Sequence, residues 1–303
     1  MNGIEQSLIG GVEGGTAILL PSLGELIGEL SGVINLGTEG CMLAGALGAY
    51  AVAVTTGSAL LGILGGIAAG AFFGLIHSYL SVYRKADQLA SGLVVWFLAL
   101  GLTSVFGTGY VNDSITPLTI ISIPGLSKIP WIGPILFKHD ILVYLSYALV
   151  VALVVILKKT RLGLLLRATG ERPEVVGVAG NRPALVQLIA VTLGAGLAGI
   201  GGAQLSVGYV GNWFNDMTSG YGFIAVAVVL FASWKPARVM VGAYLFGVVL
   251  AASSVLQAHG IAVNQYLLDS LPYLATLIAL IAVSKKGGSN APEALTRALT
   301  DTT

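Results

Sequence analysis

The chain has little charge, one cysteine and three histidines, and each scarcity removes a class of protein. Only 10% of its 303 residues are Asp, Glu, Lys or Arg, against about 25% in soluble domains, so it cannot cover a globular surface with polar groups. A net charge of +1 argues against nucleic acid as a partner. Cys41 stands alone, which rules out an internal disulfide and leaves the redox compartment unread. His77, His139 and His259 are scattered, neither H-E-x-x-H nor C-x-x-C occurs, and no resident metal is expected. The phosphate loop G-x-x-x-x-G-K followed by Ser or Thr is missing too, so the chain does not hydrolyse ATP by that route. With no catalytic constellation, it is expected not to be an enzyme and to hold no cofactor of its own.

What the chain has instead is apolar length. It is 55% hydrophobic, with a mean hydropathy of +0.89. Apolar segments fall at about 7–30, 38–57, 59–82, 89–108, 141–157, 185–208, 221–234, 237–257 and 264–284, most of them near the roughly 20 residues a helix needs to cross a bilayer. The 42 glycines suit helices that meet at backbone distance in lipid. An all-α, polytopic transmembrane bundle of eight to ten spans is expected, since 221–234 is short and the first segment is interrupted by Glu13, Pro21, Glu25 and Glu29. The N-terminus has no basic stretch and no clear cleavage site, so the first segment is expected to stay and span.

Basic residues orient the bundle. None occurs in residues 1–83. Further on come Arg84 and Lys85, Lys235 and Arg238, Lys285 and Lys286, and a connection carrying Lys158, Lys159, Arg161, Arg167, Arg172 and Arg182. Positive loops stay cytoplasmic, and all four groups agree with simple alternation. The membrane domain is then 1–285, with a cytoplasmic connection at 158–184, an external loop at 109–140 and a short cytoplasmic tail at 286–303. The stretch "VGYVGNWFNDMTSGY" (207–221) is also read as external. "GAFFG" (70–74) and "GAYLFG" (242–247) sit in spans of opposite direction, the pattern of an inverted-topology repeat.

Ionisable groups deep in the spans, which ion-coupled transporters use, are scarce. Asp216 and Asp269 fall in an outer loop or near a span's outer end, and His77 and His259 at the ends of spans, where an interfacial position is expected. Glu5, Glu25 and Glu29 read as part of a partly exposed amphipathic N-terminal helix. In "INLGTEG" (34–40), Asn35 or Thr38 is placed to cap the following helix, with Glu39 in its first turn against the positive dipole end. In 158–184, "KKTRLGLLLRATGERPEVVGVAGNRPA", Glu171 and Pro173 open a short helix that Gly180, Asn181 and Pro183 close. Such a helix lying across the end of a bundle needs a partner to cover it.

Four stretches, "SGVINLGTEGCMLAGALGAY", "IPGLSKIPWIGPILF", "LRATGERPEVVGVAGNRP" and "SGYGFIAVAVVLFASWKPARVMVGAYLFG", in this order, resemble ABC importer permeases for nucleosides and simple sugars. That group lies within the branched-chain amino acid and ribose permease family, and the resemblance runs from about residue 8 to 285. It implies a bacterial inner-membrane permease that pairs with a second, related permease, a heterodimer rather than a homodimer. It also implies two ATPase subunits, which would hold ATP and Mg, and an external binding lipoprotein that delivers nucleosides. Ribose, another sugar or a flavin is the alternative cargo, and a stand-alone secondary transporter is the alternative from another class. The coupling helix that fits the ATPase corresponds to Gly170–Gly180, with Glu171, Arg172, Pro173, Glu174 and Ala179, although the full EAA-type consensus of other importers is not present. Asn35, Gly37, Glu39 and Gly40 resemble the turn that opens a helix near the translocation path. Phe72, Trp96, Asn212, Trp213 and Asn215 are added as candidate cargo contacts, because aromatic faces and amides suit a nucleobase or sugar.

Overall fold

The computed structural model describes residues 3–111, 113–258, 270, 274 and 291–300. Its long helices are α1 (Gly3–Leu30), α2 (Thr38–Thr56), α3 (Ala59–Ser78) and α4 (Gln88–Phe106). A short antiparallel hairpin, β1 (Ile121–Ser122) and β2 (Lys138–His139), encloses the five-residue α5 (Ile132–Leu136). Then follow α6 (Ile141–Lys159), α7 (Arg161–Glu171), α8 (Pro173–Val178), α9 (Pro183–Ala203), α10 (Tyr221–Phe231) and α11 (Pro236–Ala258). A further helix covers Glu293–Thr300. Two of the helices continue as π-helix, α3 through Tyr79–Tyr83 and α9 through Gln204–Val210.

Among the described residues six helices are long and apolar enough to cross a membrane: Thr38–Thr56, Ala59–Tyr83, Gln88–Tyr110, Ile141–Lys159, Pro183–Val210 and Pro236–Leu256. Each coincides with an expected apolar segment. Apart from residues 270 and 274, the expected span at 264–284, with Asp269 and the basic pair Lys285 and Lys286, lies outside the described residues, as does His259. α1 carries four glutamates, yet between Gly15 and Leu30 every residue except Ile27 is buried. A helix buried on every face is enclosed by its neighbours, so α1 is the axis of the bundle. This corrects the expectation of a partly exposed amphipathic helix: Glu25 and Glu29 are buried, and only the first turns around Glu5 are open.

Glycine sets how closely the axis is wrapped. On α9, Gly194 meets Gly24 of α1, Gly199 meets Gly66 of α3, and Gly202 meets Met42 of α2, each backbone to backbone. A Cβ at Gly199 would enter the van der Waals space of the Gly66 carbonyl. Lipid supplies no hydrophobic drive between helices, so close van der Waals packing of small residues holds such a bundle together. α11 lies on the other side of α1, where Gly247 approaches Gly11 and Gly15. The two helices paired by the repeat pattern therefore take different neighbours, α3 against α2 and α9, α11 against α1.

Hydrogen bonds fix which loops share an end. Gln187 Nε2 donates to Ser31 O at 3.0 Å and Ile34 N donates to Gln88 Oε1 at 2.9 Å. Trp234 Nε1 donates to Glu29 Oε2 at 2.6 Å. These bonds gather 31–37, the start of α4, the start of α9 and the α10–α11 turn. Arg84, Lys85, Lys158, Lys159, Arg161, Arg167, Arg172, Arg182, Lys235 and Arg238 all belong to this basic end, while Lys128 and Lys138 lie in the 109–140 loop at the other. Glu13 lies 3.6 Å from His139 of that loop, so α1 starts at the far end and runs to the basic end, a direction that no basic residue before position 84 could report. His77 is not interfacial: it is fully buried, with Nε2 3.0 Å from Ile34 O and Nδ1 3.3 Å from Ser91 Oγ.

Candidate functional site

α10 is only eleven residues long, about 16 Å at 1.5 Å per residue, too short to cross. Its position explains why. Trp213 packs on Gly107, at the far end of α4, whereas Phe223 meets Trp96 edge to face at 5.0 Å. Those two points on α4 are about 16 Å apart along the helix. The segment 211–220 thus starts at the far end and descends into the bundle, and α10 carries the chain on to the basic end. The expectation of a wholly external loop at 207–221 is corrected: its first residues continue α9 as π-helix, and its last reach membrane depth. Non-helical backbone at such depth must be enclosed by protein or line a cavity.

A helix that begins inside a membrane has N–H groups that no water reaches. The N-cap of α10 is Gly220, at φ +88°, which has no side chain to accept them. Glu39, from the first turn of α2, does so instead. Its Oε1 accepts from Gly220 N at 2.8 Å and from Thr218 Oγ1 at 2.6 Å, and its Oε2 accepts from Gly222 N at 2.6 Å. A carboxylate at a helix N-terminus also meets the positive end of the dipole. Gly222 is required there, because a Cβ would lie 2.5 Å from the Glu39 Cα. The sequence sets Glu39 against the dipole of its own helix; in the structure it caps another helix, 181 residues away.

The start of α2 is held by a second glutamate. Glu25 of α1 accepts from Asn35 N at 2.7 Å and from Thr38 Oγ1 at 2.8 Å. Asn35 Oδ1 accepts from Gly37 N at 2.9 Å. Gly37 occupies the N-cap position with no side-chain cap bond, so Thr38 does not cap α2 but ties it to α1. Asn35, Thr38, Glu25 and Glu39 are all buried, and each acidic group has donors aimed at it, as burial of a polar group demands.

Of the candidate cargo contacts, Trp96 joins this cluster. Its backbone packs on Gly40, its ring lies 4.6 Å from Phe97 and 5.0 Å from Phe223, and its buried Nε1 has no partner among the described residues. Trp213 is buried at the far end, and Asn212, bridged to Ser114, sits beside it. Asn215 is exposed. Phe72 stands on the outward face of α3, 58% exposed. The structure therefore brings Asn35, Glu39 and Trp96 together and leaves Phe72, Asn212, Trp213 and Asn215 apart from them. Glu25, Thr218, Gly220, Gly222 and Phe223 escaped the sequence reading. The signal available for them was "TSGYG", a helix start with glycine at its cap and so no acceptor of its own.

At the basic end, α7 is a separate helix ahead of the expected short one. Gly170 packs on the Leu30 carbonyl, Glu171 Oε2 accepts from Glu293 N at 3.4 Å, and Arg172 pairs with Glu293 at 3.4 Å. Beyond them α8 has Pro173 at its start and Gly180, at φ +83°, past its end. Val176 is its buried anchor, while Val175 is 59% and Val178 92% exposed. Glu174, Ala179 and Gly180 are exposed as well.

Membrane-length helices packed through glycine, with a half-helix that starts at depth on a borrowed carboxylate, define a multi-span membrane protein built as transporters are. Residues 8–282 match the family described as branched-chain amino acid transport system / permease component, and the chain belongs to that family: it is the permease subunit of an ABC importer. It is 37% identical over 291 residues to the putative glucose ABC transporter permease protein TsgC13 of Haloferax volcanii, covering 89% of this chain and 88% of that protein. It is 32% identical over 295 residues to the guanosine ABC transporter permease protein NupQ of Bacillus subtilis, covering 91% of each. Identity to the nucleoside ABC transporter permease protein NupC of Lactococcus lactis is 32% over 279 residues, 88% of each. No solved structure matches the chain.

Proposed function

We propose that the cargo is a nucleoside and that α8, with its flanks from Gly170 to Gly180, couples its passage to ATP. Family membership implies ATPase and binding-protein partners. In this reading two ATPase subunits hold ATP and Mg, a second related permease completes a heterodimer, an external lipoprotein delivers cargo, and the assembly sits in a bacterial cytoplasmic membrane. The positive-inside rule supports the orientation, with the basic end in the cytoplasm. One observation carries the coupling reading: Val175 and Val178 stand exposed on a short helix at the basic end, where an apolar surface set among charges marks a protein contact. Binding and hydrolysis of ATP act on transport only by favouring one access state over the other, which requires such a contact.

The nucleoside assignment rests on the relatives named for guanosine and nucleosides, and the Trp96 and Phe223 rings beside the half-helix suit stacking on a base. Glucose is the second reading, favoured by the 37% identical relative; an aromatic face serves a sugar ring as well. Uptake of radiolabelled guanosine and glucose, by cells carrying the complete importer with and without its ATPase, separates the two. ATPase-dependent guanosine uptake that unlabelled nucleosides compete away is expected. Glucose uptake alone would move the cargo to the second reading, and uptake that persists without the ATPase would overturn the coupling role of α8.

A further inference from the structure

At the basic end a cavity of about 620 Å³ opens between the last turn of α6, α7 and the α10–α11 turn. Lys158, Arg167, Lys235 and Arg238 line it, together with Glu171 and the side of Trp234. Among the described lining residues four cations face one carboxylate. Glu171 accepts from Glu293 N, and Arg167 Nε donates to Gly163 O at 3.3 Å. The ion pairs among the described residues are Arg172 with Glu293 and His139 with Glu13, so none of the four cations has a carboxylate within 4.0 Å there. The excess positive charge calls for an anion.

Where the cavity lies says which anion. Lys158 lies in the last turn of the α6 span and Arg238 in the first turn of the α11 span, so the cations stand at the depth of lipid headgroups. From each an apolar column leads into the bilayer. On α6, Val155 and Val151 stand three and seven residues before Lys158; on α11, Val241 and Leu245 stand three and seven residues after Arg238. Residues so spaced share a helix face, and all four apolar side chains are exposed. The two helices are neighbours, with the rings of Tyr147 and Tyr244 6.2 Å apart. A soluble phosphate would need only the cations; a phospholipid uses both the cations and the columns.

We propose that this cavity binds the headgroup of an anionic phospholipid, its phosphate among Lys158, Arg167, Lys235 and Arg238 and its acyl chains along Val151–Val155 and Val241–Leu245. Basic pockets between spans on the cytoplasmic side recognise anionic headgroups in this way. The reading does not depend on the cargo. Its test uses the intact importer in nanodiscs of phosphatidylcholine and phosphatidylglycerol, extracted into detergent, with retained lipid measured by native mass spectrometry. Wild type retains phosphatidylglycerol over phosphatidylcholine, and millimolar inorganic phosphate does not displace it. A contribution of about fivefold per cation near an anionic surface makes the Lys158→Gln/Arg238→Gln double variant roughly 30-fold weaker. The charge-conserving Lys158→Arg/Arg238→Lys variant keeps the lipid, and so does Arg84→Gln/Lys85→Gln, which removes two cations elsewhere at the same end. Undiminished retention in Lys158→Gln/Arg238→Gln, an equal loss in Arg84→Gln/Lys85→Gln, or displacement by inorganic phosphate would each overturn the proposal. So would release of the ATPase subunits from Lys158→Gln/Arg238→Gln with its lipid kept, which would assign the cations to the ATPase interface.

Discussion

Removing the Glu39 carboxylate orphans the start of α10, and the size of the effect follows from its three bonds. In Glu39→Ala the N–H groups of Gly220 and Gly222 and the hydroxyl of Thr218 lose their acceptor. A buried donor left unsatisfied costs about 1–3 kcal/mol, so the simple sum is roughly 3–9 kcal/mol, a large share of a total stability of about 5–15 kcal/mol. Glu39→Gln is milder, for a geometric reason. With its carbonyl oxygen at the Oε1 position the amide keeps Thr218 and Gly220, but its NH2 then faces Gly222 N. Turned over, it keeps Gly222 and faces Gly220 N, while Thr218 rotates to accept. Either way one backbone donor is orphaned, at about 1–3 kcal/mol. The expected order of stability is wild type, Glu39→Gln, Glu39→Ala, read from thermal unfolding of the purified permease. Faster amide exchange should be confined at first to residues 218–226. A Glu39→Ala protein with wild-type midpoint and wild-type exchange in that segment would refute the capping argument.

Glu29 should behave in the opposite way. Its Oε2 accepts from Trp234 Nε1 and its buried Oε1 has no partner among the described residues, so Glu29→Gln, which keeps an acceptor and removes a charge, should be neutral or stabilising. Trp234→Phe should cost about 1–3 kcal/mol; the two midpoints measured side by side decide it. Gly199→Val forces a branched side chain into the Gly66 backbone and should cost at least about 1–3 kcal/mol. Gly101→Ala, with nothing within 4 Å of its Cβ position, should gain up to about 1 kcal/mol from helix propensity. Val178→Asp should leave the thermal midpoint unchanged but abolish transport-coupled ATP hydrolysis in the reconstituted importer; unimpaired coupling would show that α8 is not the contact.

Much of this fold was legible in the pattern of apolar segments. Eight of the nine fall on described helices, several to within a residue or two, because a bilayer imposes one length and one solvent on each span. The segment at 221–234 is short for a span, and it forms a half-helix. What the sequence could not show is pairing across distance. Glu39 and the N–H donor at Gly220 are brought together only by the packing of α2 against α10, so a lone glutamate after Gly37 reads locally as a cap. Glu25 and Glu29 read as an exposed polar face for the same reason, since their donors at Asn35, Thr38 and Trp234 come from other elements. The short helix in 158–184 is marked by its own Pro and Gly and lies at Pro173–Val178, whereas α7 before it, mixed in charge and apolar residues, carries no pattern that separates it from a loop.

The glycine contacts of α9 also decide where motion in this protein can be seen. Helices that touch backbone to backbone at Gly24, Gly66 and Met42 have no side-chain layer to slide on, so α1, α2, α3 and α9 form one rigid block. Spin labels placed on α3 and α9 would serve as a fixed internal ruler through the transport cycle. A label on α10, whose Ile224, Ala225, Val228 and Val229 pack through side chains on Ile18, Leu19, Leu23 and Leu26 of α1, would report any movement against that ruler.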